Sequence, residues 1–203
     1  MDIPCVMLAA GKSERMGQWK MSMKWESSTI IETSVTNALT ACSSVTIVSG
    51  WADDELSAIF KAPAWREYAS RISIVKSDTW QCGMFASARS GFAGLPETET
   101  PDSDWCFLAL GDMPQVTPET YLQSASFAEA EGRAESIIPQ YRGKKGHPVL
   151  LSRGALEYAL KLTDNDSMRD VISAFPSLIF PVKENGILND IDTPEDYRKY
   201  NEK

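Results

Sequence analysis

Histidine, cysteine and long apolar runs are scarce in this sequence. Its 203 residues include one histidine, His147, and four cysteines at positions 5, 42, 82 and 106, with no C-x-x-C spacing. We therefore expect neither a zinc site nor a disulfide framework. The sequence contains no apolar stretch of about 18 residues, so we predict no membrane-spanning helix. The amino terminus has no basic region before its apolar residues, unlike a secretory signal, and we expect a reduced, cytoplasmic protein.

Basic residues are also fewer than acidic residues. Lysine and arginine number 20 against 28 aspartates and glutamates, giving a net charge of −8 and a pI near 4.8. This balance argues against a nucleic-acid-binding protein that neutralises many phosphates, although it leaves room for a local basic pocket. Apolar residues make up 43% and charged residues 24%, as in globular proteins with a sizeable core.

Strand-like and helix-like segments alternate along the chain. Apolar runs at Ile3–Ala10 and Trp105–Leu110, each followed by glycine, predict strands buried on both faces. A helical period over 29–41, with Ser28 as its cap, predicts the first helix. Further strands are predicted at 45–49, 71–76, 136–139, 148–151 and 178–182, further helices at 84–92, 117 to about 131, 153–162, 167–175 and from 194, and a loop at 96–104. The alternation predicts an α/β fold: one domain over residues 1–203, Rossmann-like, with three α/β/α layers and a mostly parallel sheet.

The first turn of this pattern combines glycine with positive charge. It reads Leu-Ala-Ala-Gly-Lys-Ser-Glu-Arg-Met-Gly over residues 8–17, with Lys20 three residues later. Neither the P-loop spacing nor the dinucleotide-binding G-x-G-x-x-G spacing is present. The backbone N–H groups of the turn, with Arg15 and Lys20, could hold a triphosphate. A glycine turn with solvated charges is the alternative.

Two acidic motifs could hold a metal ion. Asp112 follows a buried strand, where open α/β sheets place their ligands, and could hold Mg²⁺ against a triphosphate or simply cap its turn. Asp190 and Asp192 share one face of an extended segment and could add a second carboxylate. The residues that follow, Thr193 to Asp196, are typical of a helix cap.

A basic loop stands out on this acidic chain. Residues 140–148 read Gln-Tyr-Arg-Gly-Lys-Lys-Gly-His-Pro. The three cations suit an anionic substrate, with His147 as an acid, a base or a hydrogen-bond donor. A solvated hairpin tip is the alternative.

Taken in order, these segments resemble the MobA-like group of molybdenum-cofactor nucleotidyltransferases, and within it the molybdenum cofactor cytidylyltransferases. Leu-Ala-Ala-Gly rather than Leu-Ala-Gly-Gly, and Gly-His-Pro after a basic loop, are similar to the cytidylyl branch. Asn165-Asp166-Ser167 departs from the group in lacking the glycine usual before Arg169. The resemblance covers nearly the whole chain and rests on residues 8–17 with Lys20, Gly83-Met84 with Ser87, Gly111-Asp112-Met113-Pro114, residues 143–150, Asp166 with Arg169, and residues 190–194.

The resemblance implies a fold of the nucleotide-diphospho-sugar transferase type and a specific reaction. CMP would pass from CTP to the terminal phosphate of molybdopterin or molybdenum cofactor, with Mg²⁺ as cofactor and pyrophosphate as product. The alternatives are a guanylyl- or uridylyltransferase acting on another phosphorylated small molecule, and a non-catalytic chaperone for molybdenum cofactor. The implied partners are CTP, a phosphorylated pterin acceptor and, transiently, a molybdenum hydroxylase, with no nucleic acid and no membrane.

The resemblance also implies roles for individual residues. The catalytic residues would be Arg15, Lys20 and Asp112, and the metal ligands Asp112, Asp190 and Asp192. The acceptor would contact Arg142, Lys145, His147 and Arg169. The nucleotide would contact Leu8, Ala9, Ala10, Gly11, Lys12, Ser13, Gly17, Gly83, Met84 and Ser87.

Overall fold

The computed structural model describes residues 2–95, 104–130 and 134–201. The strands are β1 (Cys5–Leu8), β2 (Lys24–Trp25), β3 (Ser28–Thr29), β4 (Val45–Ser49), β5 (Ile72–Lys76), β6 (Trp105–Leu110), β7 (Ser136–Tyr141), β8 (Lys144–Lys145), β9 (Val149–Ser152) and β10 (Ser177–Pro181). The helices are α1 (Ile30–Leu39), α2 (Asp53–Lys61), α3 (Met84–Ala93), α4 (Pro118–Ala130), α5 (Arg153–Lys161), α6 (Met168–Ser173) and α7 (Pro194–Asn201). Most of the predicted loop at 96–104, and the predicted helix end near 131, lie outside the described residues.

The main sheet is mostly parallel. Among the described residues its strands follow the order β10-β7-β9-β6-β1-β4-β5, and β8 pairs with β7 as a short hairpin. The strands β1, β4, β5 and β6 are mutually parallel, and β7 is parallel to β10. Only β9 runs against both of its neighbours along this path. The carboxyl ends of β1, β4, β5 and β6 therefore meet at one edge, where the predicted site residues follow.

Helices cover both faces of the sheet, and strands β1 and β6 are accordingly apolar at every position. Along β1, Cys5 and Met7 pack into one core with residues of α1, α2 and α4. Val6 and Leu8 point the other way, into a second core built with α3, α5 and α6. These observations confirm the predicted three-layer α/β/α architecture.

Some elements differ from the sequence prediction. Helix α2 was not predicted, and α1 is capped by Thr29 rather than Ser28, with Glu32 completing a reciprocal capping box. The helices α4 and α7 begin at Pro118 and Pro194 as predicted. In the part of the chain described, no helix has the length and apolarity needed to cross a membrane.

Candidate active site

A cleft of about 900 Å³ opens at the carboxyl ends of β1 and β6. Most of the residues predicted to bind nucleotide or metal line it, although they come from distant parts of the sequence. Gly17 does not line the cleft. Those that do are Leu8, Ala9, Ala10, Gly11, Lys12, Ser13, Arg15, Lys20, Gly83, Met84, Ser87, Asp112, Asp190 and Asp192.

Hydrogen bonds within residues 13–20 stabilise the turn after β1. Ser13 adopts a left-handed conformation with φ of 60°. Its Oγ accepts a hydrogen bond of 3.2 Å from the backbone N–H of Lys20. Gly17 has φ of 70°, and its N–H donates to the carbonyl of Glu14 at 3.2 Å. Gly17 thus shapes the return of the chain toward Lys20, which explains its position in the motif without contact with the cleft.

Lys20 joins two acidic segments that are far apart in sequence. Its side chain is only 9% exposed, and its Nζ lies 2.5 Å from Asp112 Oδ2 and 2.7 Å from Asp192 Oδ1. Burial lowers the pKa of Lys20, but the two carboxylates outweigh burial and leave this pKa raised. Arg15 adds a contact of 2.5 Å between its guanidinium and Asp192 Oδ2. The cluster is therefore an ordered charge network rather than a set of separately solvated side chains.

Asp190 completes the acidic side of the cleft. Its pKa is raised, chiefly by burial and then by the charge and hydrogen bond of Asp192 and the charge of Asp112. The pKa of Asp192 is lowered: burial would raise it, but Lys20, Asp190 and Arg15 together outweigh burial. Carboxylates that crowd one another in this way favour a nearby cation.

The donor set fits a hard divalent cation. Within the described ranges, no three His, Cys, Asp or Glu side chains form a ready-made metal cage. Mg²⁺ does not require one, because it usually takes one or two carboxylates together with waters and substrate phosphates. Asp112, Asp190 and Asp192 are the carboxylates that could supply those oxygens here.

Asp112 is positioned by contacts from both ends of the chain. Its carbonyl accepts a hydrogen bond of 3.0 Å from the N–H of Ile191, which ties the two acidic motifs together. The preceding carbonyl, of Gly111, accepts a hydrogen bond of 2.9 Å from Ser34 Oγ on α1. Asn37, one turn further along α1, donates to the carbonyls of Pro114 and Val116 at 3.1 and 2.9 Å. Helix α1 therefore fixes the loop that carries Asp112.

A second cleft, of about 1090 Å³, adjoins the first. Met84, at the start of α3 and 58% exposed, lines both. Three of the four residues predicted to contact the acceptor line the second cleft, namely Lys145, His147 and Arg169. The fourth, Arg142, does not; it is exposed on the β7–β8 turn, with its guanidinium 5.2 Å from the centre of the Tyr141 ring.

His147 is partly buried, and this position affects the pKa of its imidazole. Burial lowers the pKa of His147, although a hydrogen bond with the backbone of Leu108 and the charge of Asp112 oppose this. Its Nδ1 is buried and has no hydrogen-bond partner among the described residues. The imidazole is therefore neutral at pH 7, and its Nδ1 retains the capacity for one further hydrogen bond.

Sequence reasoning missed one wall of the first cleft. Trp80 and Gln81 line it together with the turn after β1. A Cβ on Gly50 would lie 2.8 Å from Trp80 Cγ and 2.6 Å from the Ala10 carbonyl, so glycine permits the ring to pack closely there. The six tryptophans have no common spacing, and no local signal distinguished this one. The apolar lining of the second cleft, including Phe85, Leu108 and Phe175, was missed in the same way.

Comparison with known proteins places this geometry in a family. Residues 5–178 match the model of the MobA-like NTP transferase domain. The molybdenum cofactor cytidylyltransferase of Escherichia coli (strain K12) is 34% identical over 197 residues, covering 96% of this chain and 93% of that protein. The purine catabolism protein PucB of Bacillus subtilis (strain 168) is 26% identical, covering 95% of this chain and 92% of that protein. The crystal structure of Rv0371c from Mycobacterium tuberculosis H37Rv has a TM-score of 0.80 and 25% identity, covering 100% of both chains. The chain belongs to the MobA-like NTP transferase family.

Proposed function

We propose that this nucleotidyltransferase transfers CMP from CTP to the terminal phosphate of molybdopterin or molybdenum cofactor, through a single catalytic domain spanning residues 1–203. The observation that carries the proposal is the pair of adjoining clefts, one with Lys20 between two carboxylates and the other with cations over an apolar floor. The similarity to the cytidylyltransferase of Escherichia coli supports this choice of nucleotide and acceptor.

In the proposed reaction, an oxygen of the acceptor phosphate attacks the α-phosphorus of CTP. The bond from that phosphorus to the bridging β-phosphate oxygen breaks, and its electron pair leaves with pyrophosphate. A phosphate monoester is largely deprotonated at neutral pH, since its second pKa is about 6. No dedicated base is required, and catalysis depends on positioning and on charge stabilisation.

Residues of the first cleft would bind the nucleotide. The backbone of the turn after β1, with Lys12 and Arg15, would hold the β- and γ-phosphates, and its position in the cleft supports this role. Gly83, Met84 and Ser87, which line the same cleft, would bind the cytidine end. Asp112, with Asp190 or Asp192, would hold Mg²⁺, which when bound neutralises charge on the α-phosphate. Lys20 would keep these carboxylates in place and add positive charge beside the leaving pyrophosphate.

Residues of the second cleft would bind the acceptor. Lys145 and Arg169 supply positive charge for its phosphate, and neutral His147 supplies a hydrogen bond. Phe85 and Leu108 offer an apolar surface for a fused ring. Met84 marks the junction at which the acceptor phosphate would approach the nucleotide. Transient contact with a molybdenum hydroxylase, which would receive the product, stays a prediction.

The decisive experiment measures thermal stabilisation by CTP, GTP, UTP and ATP, each with and without Mg²⁺, followed by pyrophosphate release with molybdopterin as acceptor. Selective, Mg²⁺-dependent stabilisation by CTP is expected, because ligand that binds only the native state raises its stability by mass action. Asp112→Asn should lower turnover by about 10²-fold or more, whereas Asp54→Asn, on the exposed start of α2, should not.

Each alternative predicts a different result. Stabilisation by GTP or UTP in place of CTP would favour a guanylyl- or uridylyltransferase. Tight binding of acceptor without any pyrophosphate release would favour a chaperone. Normal turnover in Asp112→Asn would remove Asp112 from the metal site.

A further inference from the structure

One edge of the main sheet is left open in the described part of the chain. Strand β5 pairs there with β4 alone. The N–H of Val45 donates to the Arg71 carbonyl, and the N–H of Ser77 donates to the Ser49 carbonyl, so residues 71 and 77 face β4. Because backbone groups alternate along a strand, the N–H and C=O of Ile72, Ile74 and Lys76 point away from β4. Each can bond to another strand.

The middle of this edge strand lacks the usual features that prevent strand pairing, and the strand ends in the exposed Lys76. Residues 72–75 read Ile-Ser-Ile-Val, without proline or charge, whereas the opposite edge strand β10 ends in Pro181. A groove of about 580 Å³ runs beside β5, bounded by α2 and the 3-10 turn at Pro63–Tyr68. Phe60, Ile72 and Ile74 contribute its apolar lining. The edge therefore offers both backbone and apolar contacts to an incoming element.

Opposite charges lie at the two ends of this groove. Lys61 and Arg66 lie at the amino end of β5, near Ile72. Asp53, Asp54 and Glu55 lie at the carboxyl end and outnumber Lys76 there. The arrangement follows from the fold, because α2 runs antiparallel to the strands and its first turn is acidic while its last residue is basic.

We propose that β5 pairs with β5 of a second copy of this chain, antiparallel and about a two-fold axis perpendicular to the sheet. Such an axis places the amino end of one β5 beside the carboxyl end of the other. Lys61 and Arg66 of each copy then face Asp54 and Glu55 of its partner, and both α2 helices lie on the same face of a continuous sheet. A self-complementary charge pattern of this kind fits a second copy better than it fits a uniformly acidic or basic peptide.

The test is a charge swap followed by analytical ultracentrifugation over a range of concentrations. Lys61→Glu/Arg66→Glu places like charges at both ends of the interface, and so does Asp54→Lys/Glu55→Lys. Each double variant should weaken the dimer about tenfold or more. An equimolar mixture of the two should form a heterodimer, because every reversed end then meets its complement. In the parent protein, hydrogen exchange at the Ile74 amide should slow as the dimer forms.

Controls separate this interface from a loss of folding or a general change in net charge. Lys24→Glu/Lys161→Glu makes the same net charge change on exposed positions away from β5 and should leave the association unchanged. Thermal unfolding must show that each variant folds. A protein that is monomeric at every concentration, or a dimer unaffected by both reversals, would overturn the proposal. So would a mixture that fails to form the heterodimer while its components fold.

Discussion

At the scale of single residues, Lys20 holds the acidic cluster together. Replacing it with methionine would leave Asp112 and Asp192 close to each other without the ammonium between them. We expect the turnover of Lys20→Met to fall by about 10²-fold or more. Lys20→Arg should retain part of the activity, because it keeps the charge in a wider group. The measurement is the steady-state rate of pyrophosphate release for both variants and for the parent protein.

Lys20 also predicts a specific pH dependence of stability. Its pKa is raised in the folded protein above the ordinary value of 10.5. The stabilisation from the ion pairs of Lys20 with Asp112 and Asp192 is therefore fully present below pH 10.5. It is lost as the pH rises through the pKa that Lys20 has in the folded protein. The free energy of unfolding of Lys20→Met should fall less steeply at alkaline pH than that of the parent protein. If the free energy of unfolding fell equally steeply with alkaline pH in both proteins, the ion pairs of Lys20 with Asp112 and Asp192 would be contradicted.

Local motifs allowed much of the candidate site to be found from sequence. The residues after β1 and β6 are marked by glycine and charge immediately following apolar runs, and the structure brings them to one cleft. Trp80 could not be found in this way, because its place in the cleft depends on packing against Gly50 from another loop. Arg142 was predicted to contact the acceptor from its residue type alone. Nothing in the sequence indicated that the turn directs its side chain over Tyr141.

At the scale of elements, a capping box stabilises the start of α1, the helix that supports the loop carrying Asp112. Thr29 Oγ1 accepts from the N–H of Glu32 at 3.3 Å, and Glu32 Oε2 accepts from the N–H of Thr29 at 3.1 Å. We expect Thr29→Ala to lower the free energy of unfolding by about 1 kcal/mol. Thr40→Ala, at the exposed end of the same helix, should change it by less than about 0.5 kcal/mol. Urea denaturation measures both, and equal losses would argue against the cap.

The same cap predicts a sensitivity to acid. Burial would raise the pKa of Glu32, but hydrogen bonds from Thr29, Trp65 and Ser28 lower it below the ordinary value of 4.5. The stabilisation from these hydrogen bonds to ionised Glu32 is present above pH 4.5. It is lost as the pH falls through the pKa that Glu32 has in the folded protein. Glu32→Gln should therefore be less stable than the parent protein at neutral pH, and the difference should shrink in acid. A constant difference across this range would be inconsistent with an ionised Glu32 in the cap.

Periodicity identified the long elements and missed those that depend on tertiary contacts. Strands β1 and β6 are apolar throughout because helices cover both faces, and such runs are recognisable in sequence. Helix α2 was missed: its strongly acidic first turn precedes only two buried residues, Leu56 and Phe60. The direction of β9 was not predicted, although the short connection between β7 and β9 requires these neighbouring strands to be antiparallel.

At the scale of the whole molecule, charge is distributed unevenly. The chain has a net charge of −8, yet Arg15 and Lys20 line one cleft and Lys145 and Arg169 line the other. The second cleft has Asp166 as its acidic residue and is net positive, whereas the cations of the first cleft are outnumbered by the carboxylates of Glu14, Asp112, Asp190 and Asp192. We therefore expect a phosphorylated ligand to enter the first cleft together with a divalent cation, whose charge offsets the carboxylates there.

At the same scale, Gly146 packs the basic loop against the segment that leads to Asp190 and Asp192. Its N–H donates to the Pro139 carbonyl at 2.9 Å, and the next N–H, of His147, donates to the Ile187 carbonyl at 3.0 Å. A Cβ on Gly146 would lie 2.2 Å from the Ile187 carbonyl oxygen, which is backbone and cannot rotate away. The segment from Ile187 to Asp192 would have to shift, and with it the hydrogen bond from Ile191 to Asp112.

We therefore expect Gly146→Ala to lower the free energy of unfolding by about 1–3 kcal/mol and turnover by about 10²-fold, because the carboxylates would be misplaced. Gly143→Ala is the matched control. Gly143 has φ of 82° with no atom near its Cβ position, so the substitution should cost about 1–2 kcal/mol through backbone strain alone. Because the two variants lose similar stability, the ratio of their turnover rates isolates the effect on the site. Equal turnover in both would mean that Asp190 and Asp192 do not depend on the packing of Gly146 against Ile187.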